Sequence, residues 1–241
     1  MNSNNPVSNG SNPVFGWRLL LRGISKILLI VCILAGILFV SAGRLDWVSG
    51  WILVLLYMAY LTAIMIWGIR KAPDLLLERG KVSGNVKQWD KFINAFYAIL
   101  IVLLLVVSGL DAQRYRWTNL PTRFVVMGGL GLATAGWVIW RTMIENAYLS
   151  RWARIQDDRG QKVITTGPYS LVRHPMYSAI ILLVVCIPIQ LGSLWGLIPS
   201  VLISILFVVR THLEDRMLLG ELEGYQEYAN RVKSRLLPGI W

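Results

Sequence analysis

Apolar residues run in long blocks at 24–43, 48–69, 92–110, 124–144, 177–191 and 194–209, separated by polar, mostly basic connections. The first four blocks approach the ~20 residues an α-helix needs to cross a bilayer core. The last two are shorter: a fifteen-residue block gives roughly 22 Å against a core of ~30 Å. Pro188 also interrupts the fifth. The pair predicts a tilted, tightly turned hairpin, reaching part way through the bilayer or continuing past Arg210 in its second helix. The pattern therefore predicts an all-α integral membrane protein of about six hydrophobic helices, the last two a short hairpin. Three regions follow: a disordered tail rich in Asn, Ser and Pro (1–16), a four-span membrane region (17–144), and a core with the hairpin and a C-terminal helix (145–241).

Composition agrees: 55% of residues are hydrophobic and 15% charged, against roughly a quarter charged in soluble domains. The net charge of +11 sits in the connections, which points to anionic lipid headgroups and away from nucleic acid. Of the 24 basic residues, all but Arg44, Arg114, Arg116 and Arg123 fall on one side of this topology. That bias predicts a multi-pass protein with both termini cytosolic, in the inner (plasma) membrane of a prokaryote or the endoplasmic reticulum of a eukaryote. With two cysteines, both in apolar runs, and two histidines, the chain offers no disulfide framework and no metal signature. Gly129-x-x-x-Ala133 and Gly131-x-x-x-Ala135 on the fourth span read as small-residue helix contacts. Trp47, Trp51, Trp67, Trp117 and Trp195 lie near span ends, as interfacial belts require.

Two polar islands flank the hairpin. In GPYSLVRHPMYSA (167–179), Gly167-Pro168 and His174-Pro175 cannot continue a helix, so 162–175 reads as a non-helical strap entering the membrane. Backbone of that kind is tolerated at membrane depth only when buried in protein or lining a cavity. Its free backbone groups suit a small polar ligand, and Tyr169, Arg173, His174 and Tyr177 add side chains; a surface turn with an Arg anchor is the plainer alternative. In the second island Arg210 and Glu214 are four apart and share a helix face at the end of an apolar run, with Asp215 beside them as an unbalanced acid. An ordinary i,i+4 ion pair is the plainer alternative there. An arginine suits bidentate capture of a carboxylate, and a glutamate suits a hydroxyl or an ammonium. Tyr225 and Tyr228 sit on a stretch, 221–232, that reads as one polar helix able to close over the site or rest in the interface.

The order GPYSLVRHPMY, a short hydrophobic hairpin, R-x-x-x-E-D, then GYQEYANRVKSRLLPGIW resembles the isoprenylcysteine carboxyl methyltransferases, a family of integral membrane enzymes. Membrane methyltransferases of phospholipids share a weaker form. The resemblance covers about 145–241 and is loose upstream, at KAPDLLLERG (71–80) and KQWDK (87–91). Ala179 departs from it, standing where the family usually has Gly. The resemblance implies S-adenosyl-L-methionine as cofactor, lined by Gln161, Lys162, Val163 and Ile164. Tyr169, Arg173, His174, Pro175, Met176 and Tyr177 would hold its two ends, with Glu214 and Asp215 as acids. It makes Arg210 the residue that orients the substrate carboxylate, with no general base needed. It implies a lipid-tailed or prenylated small-molecule substrate beside membrane lipids, and no obligate protein partner. The acceptor stays open between a prenylated cysteine carboxylate and a phospholipid amine. Two competing functions are a sterol-type membrane reductase using a nicotinamide cofactor and a non-enzymatic lipid-binding or transport protein.

Overall fold

The computed structural model describes residues 13–73, 75 and 86–241. Of the described residues 74% are helical, and their α-helices are α1 (Pro13–Ala42), α2 (Val48–Lys71), α3 (Gln88–Gly109), α4 (Thr122–Glu145), α5 (Pro175–Leu191), α6 (Leu197–Glu221) and α7 (Tyr225–Arg231). Five of them, α1 to α4 and α6, are long and apolar enough to cross a membrane. The fold is an all-α membrane protein. Of the predicted tail at 1–16, residues 1–12 lie outside the described residues, as does most of 71–80, whereas 13–16 are helical, since α1 begins at Pro13.

The hairpin is unequal. α5 has 17 residues and α6 has 25, so α6 runs well past Arg210, one of the two outcomes the sequence allowed. Pro188 does not break α5, which continues to Leu191. A proline removes the hydrogen bond to the carbonyl four residues back, here that of Val184. The Ser200 hydroxyl of α6 donates to that carbonyl at 2.7 Å, so the neighbouring helix satisfies the group that the proline frees.

α4 lies along α5, α3 along both α1 and α6, α5 along α6, and α1 beside α2. Small residues set the α4–α5 approach. A Cβ on Gly128 would lie 2.5 Å from the Gln190 backbone nitrogen, and one on Gly131 would collide with Cys186. Gly128, Gly131 and the fully buried Ala135 therefore form the contact face, whereas a Cβ on Gly129 would reach only to 4.0 Å of Gln190. Of the two predicted small-residue pairs, Gly131–Ala135 lies on the contact and Gly129–Ala133 does not. Trp47 also turns inward, 4% exposed and edge-on to Phe39.

At the turn between α5 and α6 the buried Asp111 accepts from the Thr118 backbone (2.8 Å) and hydroxyl (2.8 Å), the Ser193 hydroxyl (2.6 Å) and the Trp195 backbone (3.1 Å). A buried carboxylate with four donors is stable where an unpaired one is not. This knot ties the loop after α3 to the hairpin tip and fixes the depth of α5 and α6. At the other end α6 stops at Glu221, and α7 begins at Tyr225. The predicted single helix over 221–232 is thus two elements. Leu222 leaves the first in an extended conformation, and Gly224, at φ 78° in the left-handed region, turns the chain into the second.

Candidate active site

A cavity of about 490 Å³ opens where α3 and α5 begin and α4 and α6 end, a size typical of small-molecule sites. Its walls include the strap, the 146–156 segment, α6 and α7. Gln161, Lys162, Val163, Ile164, Tyr169, Arg173, His174, Pro175, Met176, Tyr177, Arg210 and Glu214 all line it. Asp215, named with them from sequence, does not. Strap residues 162–165 make no backbone–backbone hydrogen bond among the described residues. Lys162 is exposed and 163–165 are half-buried, so this stretch can turn its backbone groups to a polar ligand in the cavity.

The strap is anchored through Asp215, which is fully buried. Arg173 donates to both its oxygens, Nε and Nη2 each at 2.8 Å. Arg235 Nε adds a contact at 2.8 Å and the Tyr225 hydroxyl one at 2.9 Å. His174 Nε2 lies 3.3 Å away. The backbone N–H groups of Arg173 and His174 donate to Ser234 (3.0 Å) and Arg235 (2.9 Å). One carboxylate on α6 thus binds the strap to the C-terminal segment. Asp215 is not an unbalanced acid; it has two arginines.

Three tyrosines complete this wall. The Tyr228 hydroxyl donates to the Tyr169 carbonyl at 2.7 Å, and Asn146 Nδ2 donates to the Tyr169 hydroxyl at 2.8 Å. Burial raises the pKa of Tyr169, Tyr225 and Tyr228 well above the usual phenol value. All three stay neutral and act as hydrogen-bonding groups. Tyr225 and Tyr228, at 4% and 1% exposed, belong to the buried wall rather than to an interfacial belt.

At the inner end, Arg210 and Glu214 do not form the i,i+4 ion pair that was the plainer alternative in the sequence. Glu214 accepts a short hydrogen bond from the Tyr177 hydroxyl. Arg210 lies over the Tyr177 ring, 5.2 Å from its centre, and its Nη2 donates to the Arg151 carbonyl at 3.0 Å. The same nitrogen is 2.9 Å from Asp90 Oδ1 on α3. Asp90 Oδ2 accepts the Ala153 N–H at 2.9 Å. Arg210 Nε is buried with no hydrogen-bond partner among the described residues. A buried, unpaired donor in a cavity wall marks a place for a ligand oxygen.

A second chamber, about 550 Å³ and almost wholly apolar, lies among α1 to α5, with Leu34, Leu53, Leu105, Trp137 and Trp140 in its walls. Tyr57 and Tyr97 line both cavities. Sequence reasoning missed these two and also Asp90. The available signal for Asp90 was the one used for Arg210: an ionisable residue at the edge of an apolar run.

Residues 122–221 match the family model described as phospholipid methyltransferase. The chain is also 23% identical over 142 residues to the nickel-cobalt-cadmium resistance protein NccN of Alcaligenes xylosoxydans xylosoxydans, covering 56% of this chain and 58% of that protein. From α4 through α6 this chain is therefore similar to the phospholipid methyltransferases, and it spans a little over half the length of the resistance protein it matches.

Proposed function

We propose that the protein transfers a methyl group from S-adenosylmethionine to a lipid-tailed acceptor. The observation that carries this reading is the adjacency of a polar cavity and an apolar chamber, which share Tyr57 and Tyr97 as walls. A ligand of methylating-cofactor size fits the first, and a hydrocarbon tail fits the second. The strap backbone at 161–164 would hold the nucleoside, with Tyr169, His174 and Glu214 around its polar ends. Bound there, the cofactor supplies an electrophilic methyl on a sulfonium. The protein's part is positioning and exclusion of water. Arg210, 6% exposed, fixes the acceptor head through its open Nε. Tyr177 holds Glu214, and the strap closes one wall. The basic asymmetry supports a cytosolic cavity mouth.

Two acceptor heads fit this frame. The C-terminal motif favours a prenylated cysteine carboxylate, and the family match favours a phospholipid amine. Two variants test the shared frame. Arg210→Ala leaves S-adenosylhomocysteine affinity largely intact and abolishes transfer to membrane lipid acceptors. Gly136→Leu, in the apolar chamber beside Tyr60, raises the acceptor KM without changing cofactor affinity. Near-normal transfer by the first, or an unchanged acceptor KM in the second, refutes the placement.

A further inference from the structure

We propose that Asp90 is a specificity-determining residue that turns the site away from carboxylate acceptors and towards a net-neutral, amine-bearing lipid head. This rests on the methyltransferase reading and narrows it. Asp90 lies on α3, outside the matched segment, and its side chain is fully buried. Its Oδ2 is fixed by the Ala153 N–H, and its Oδ1 sits 2.9 Å from Arg210 Nη2. The chain's own carboxylate thus stands on the arginine that the sequence resemblance gives to the acceptor's carboxylate.

The charges decide between the acceptors. Asp90, Arg210 and Glu214 together leave one negative charge at the inner end. One Glu214 oxygen is taken by Tyr177, and the other has no hydrogen bond among the described residues. A carboxylate head would bring a further negative charge beside two carboxylates in a buried site, where like charges repel strongly. It would also have to share Arg210 with Asp90. As it binds, a head carrying both phosphate and ammonium adds no net charge: Arg210 Nε can meet an oxygen, and Glu214 can meet the nitrogen. In the transfer, the acceptor nitrogen, in its unprotonated form, shares its lone pair with the methyl carbon. The carbon–sulfur pair returns to sulfur, and the proton of the original ammonium goes to solvent.

The test uses two farnesyl compounds with the same tail, one ending in a zwitterionic phosphoethanolamine and one in a carboxylate. Binding of each to the full-length protein is followed by tryptophan fluorescence without cofactor, and methyl transfer is followed with it. Wild type should prefer the phosphoethanolamine in both assays by about tenfold or more. Asp90→Asn, which keeps an acceptor for the Ala153 N–H, should shift the ratio about tenfold towards the carboxylate. A purely structural Asp90 would weaken both ligands alike. Preference of the wild type for the carboxylate overturns the proposal, and needs no variant that must fold. So does an unchanged ratio in Asp90→Asn. If wild type binds S-adenosylhomocysteine but methylates neither probe nor phosphatidylethanolamine, the methyl-transfer reading itself fails.

Discussion

Replacing Asp215 with Asn tests whether one buried carboxylate holds the cavity wall in place. The change keeps the side-chain shape and removes the charge. Arg173 is then left at 6% side-chain exposure with no counter-charge, while Arg235, at 26%, can partly hydrate. Removing one partner of a buried pair costs about 3–5 kcal/mol. Asparagine still offers one oxygen and Arg235 still reaches water, so the lower end, about 3 kcal/mol, is expected. Arg235→Ala, which removes the half-wet partner and leaves the Arg173 pair, should cost only about 1 kcal/mol. The assay is reversible unfolding in mixed micelles titrated with SDS. Because Arg173 and His174 line the cavity, S-adenosylhomocysteine affinity should fall with Asp215→Asn. A stability loss under about 1 kcal/mol, with cofactor affinity unchanged, would falsify the lock.

Further outcomes follow from the helix contacts and the tyrosines. Ser200→Ala strands the Val184 carbonyl that Pro188 frees, and should cost about 1–3 kcal/mol in the same unfolding assay; a neutral result removes Ser200 from that role. Gly128→Ala drives a methyl into the Gln190 backbone and should cost about 1–3 kcal/mol, while Gly129→Ala stays near neutral. Equal costs would contradict the assigned face. Tyr169, Tyr225 and Tyr228 all have folded pKa values above the ordinary 10.0. Below pH 10 both folded and unfolded chains keep these protons, so their contribution is whole. As pH rises past 10 the unfolded chain ionises first, and stability is lost. The melting temperature should fall between pH 9 and 11, less steeply in Tyr169→Phe; the same slope in both contradicts the assignment.

What was legible in the sequence was local. Gly-Pro and His-Pro steps forbid helix, so the strap could be placed before any coordinates. Block lengths gave the spans and the short α5. The pairings were less accessible, because they are tertiary. Arg210 and Glu214 do share a helix face, yet each meets a stronger partner from elsewhere: Asp90 from α3 and Tyr177 from α5. Spacing along one helix cannot reveal a competitor some 120 residues away in the chain. Asp215 looked unbalanced for the same reason, since its two arginines lie in the strap and the C-terminal segment. Pro188 looked like a break because the hydroxyl that rescues its helix belongs to α6. The split at Gly224 was legible in principle, since a glycine in a polar helical stretch readily takes the left-handed turn.

The central claim is that the cavity under the strap binds the methyl donor. Titration calorimetry of the detergent-purified protein with S-adenosylhomocysteine, and in parallel with a reduced nicotinamide dinucleotide, tests it most directly. The account predicts saturable binding of one S-adenosylhomocysteine per chain, weakened by Glu214→Gln, and no heat from the dinucleotide. Binding of the dinucleotide alone, or of S-adenosylhomocysteine with equal affinity in Glu214→Gln and His174→Ala, would contradict it.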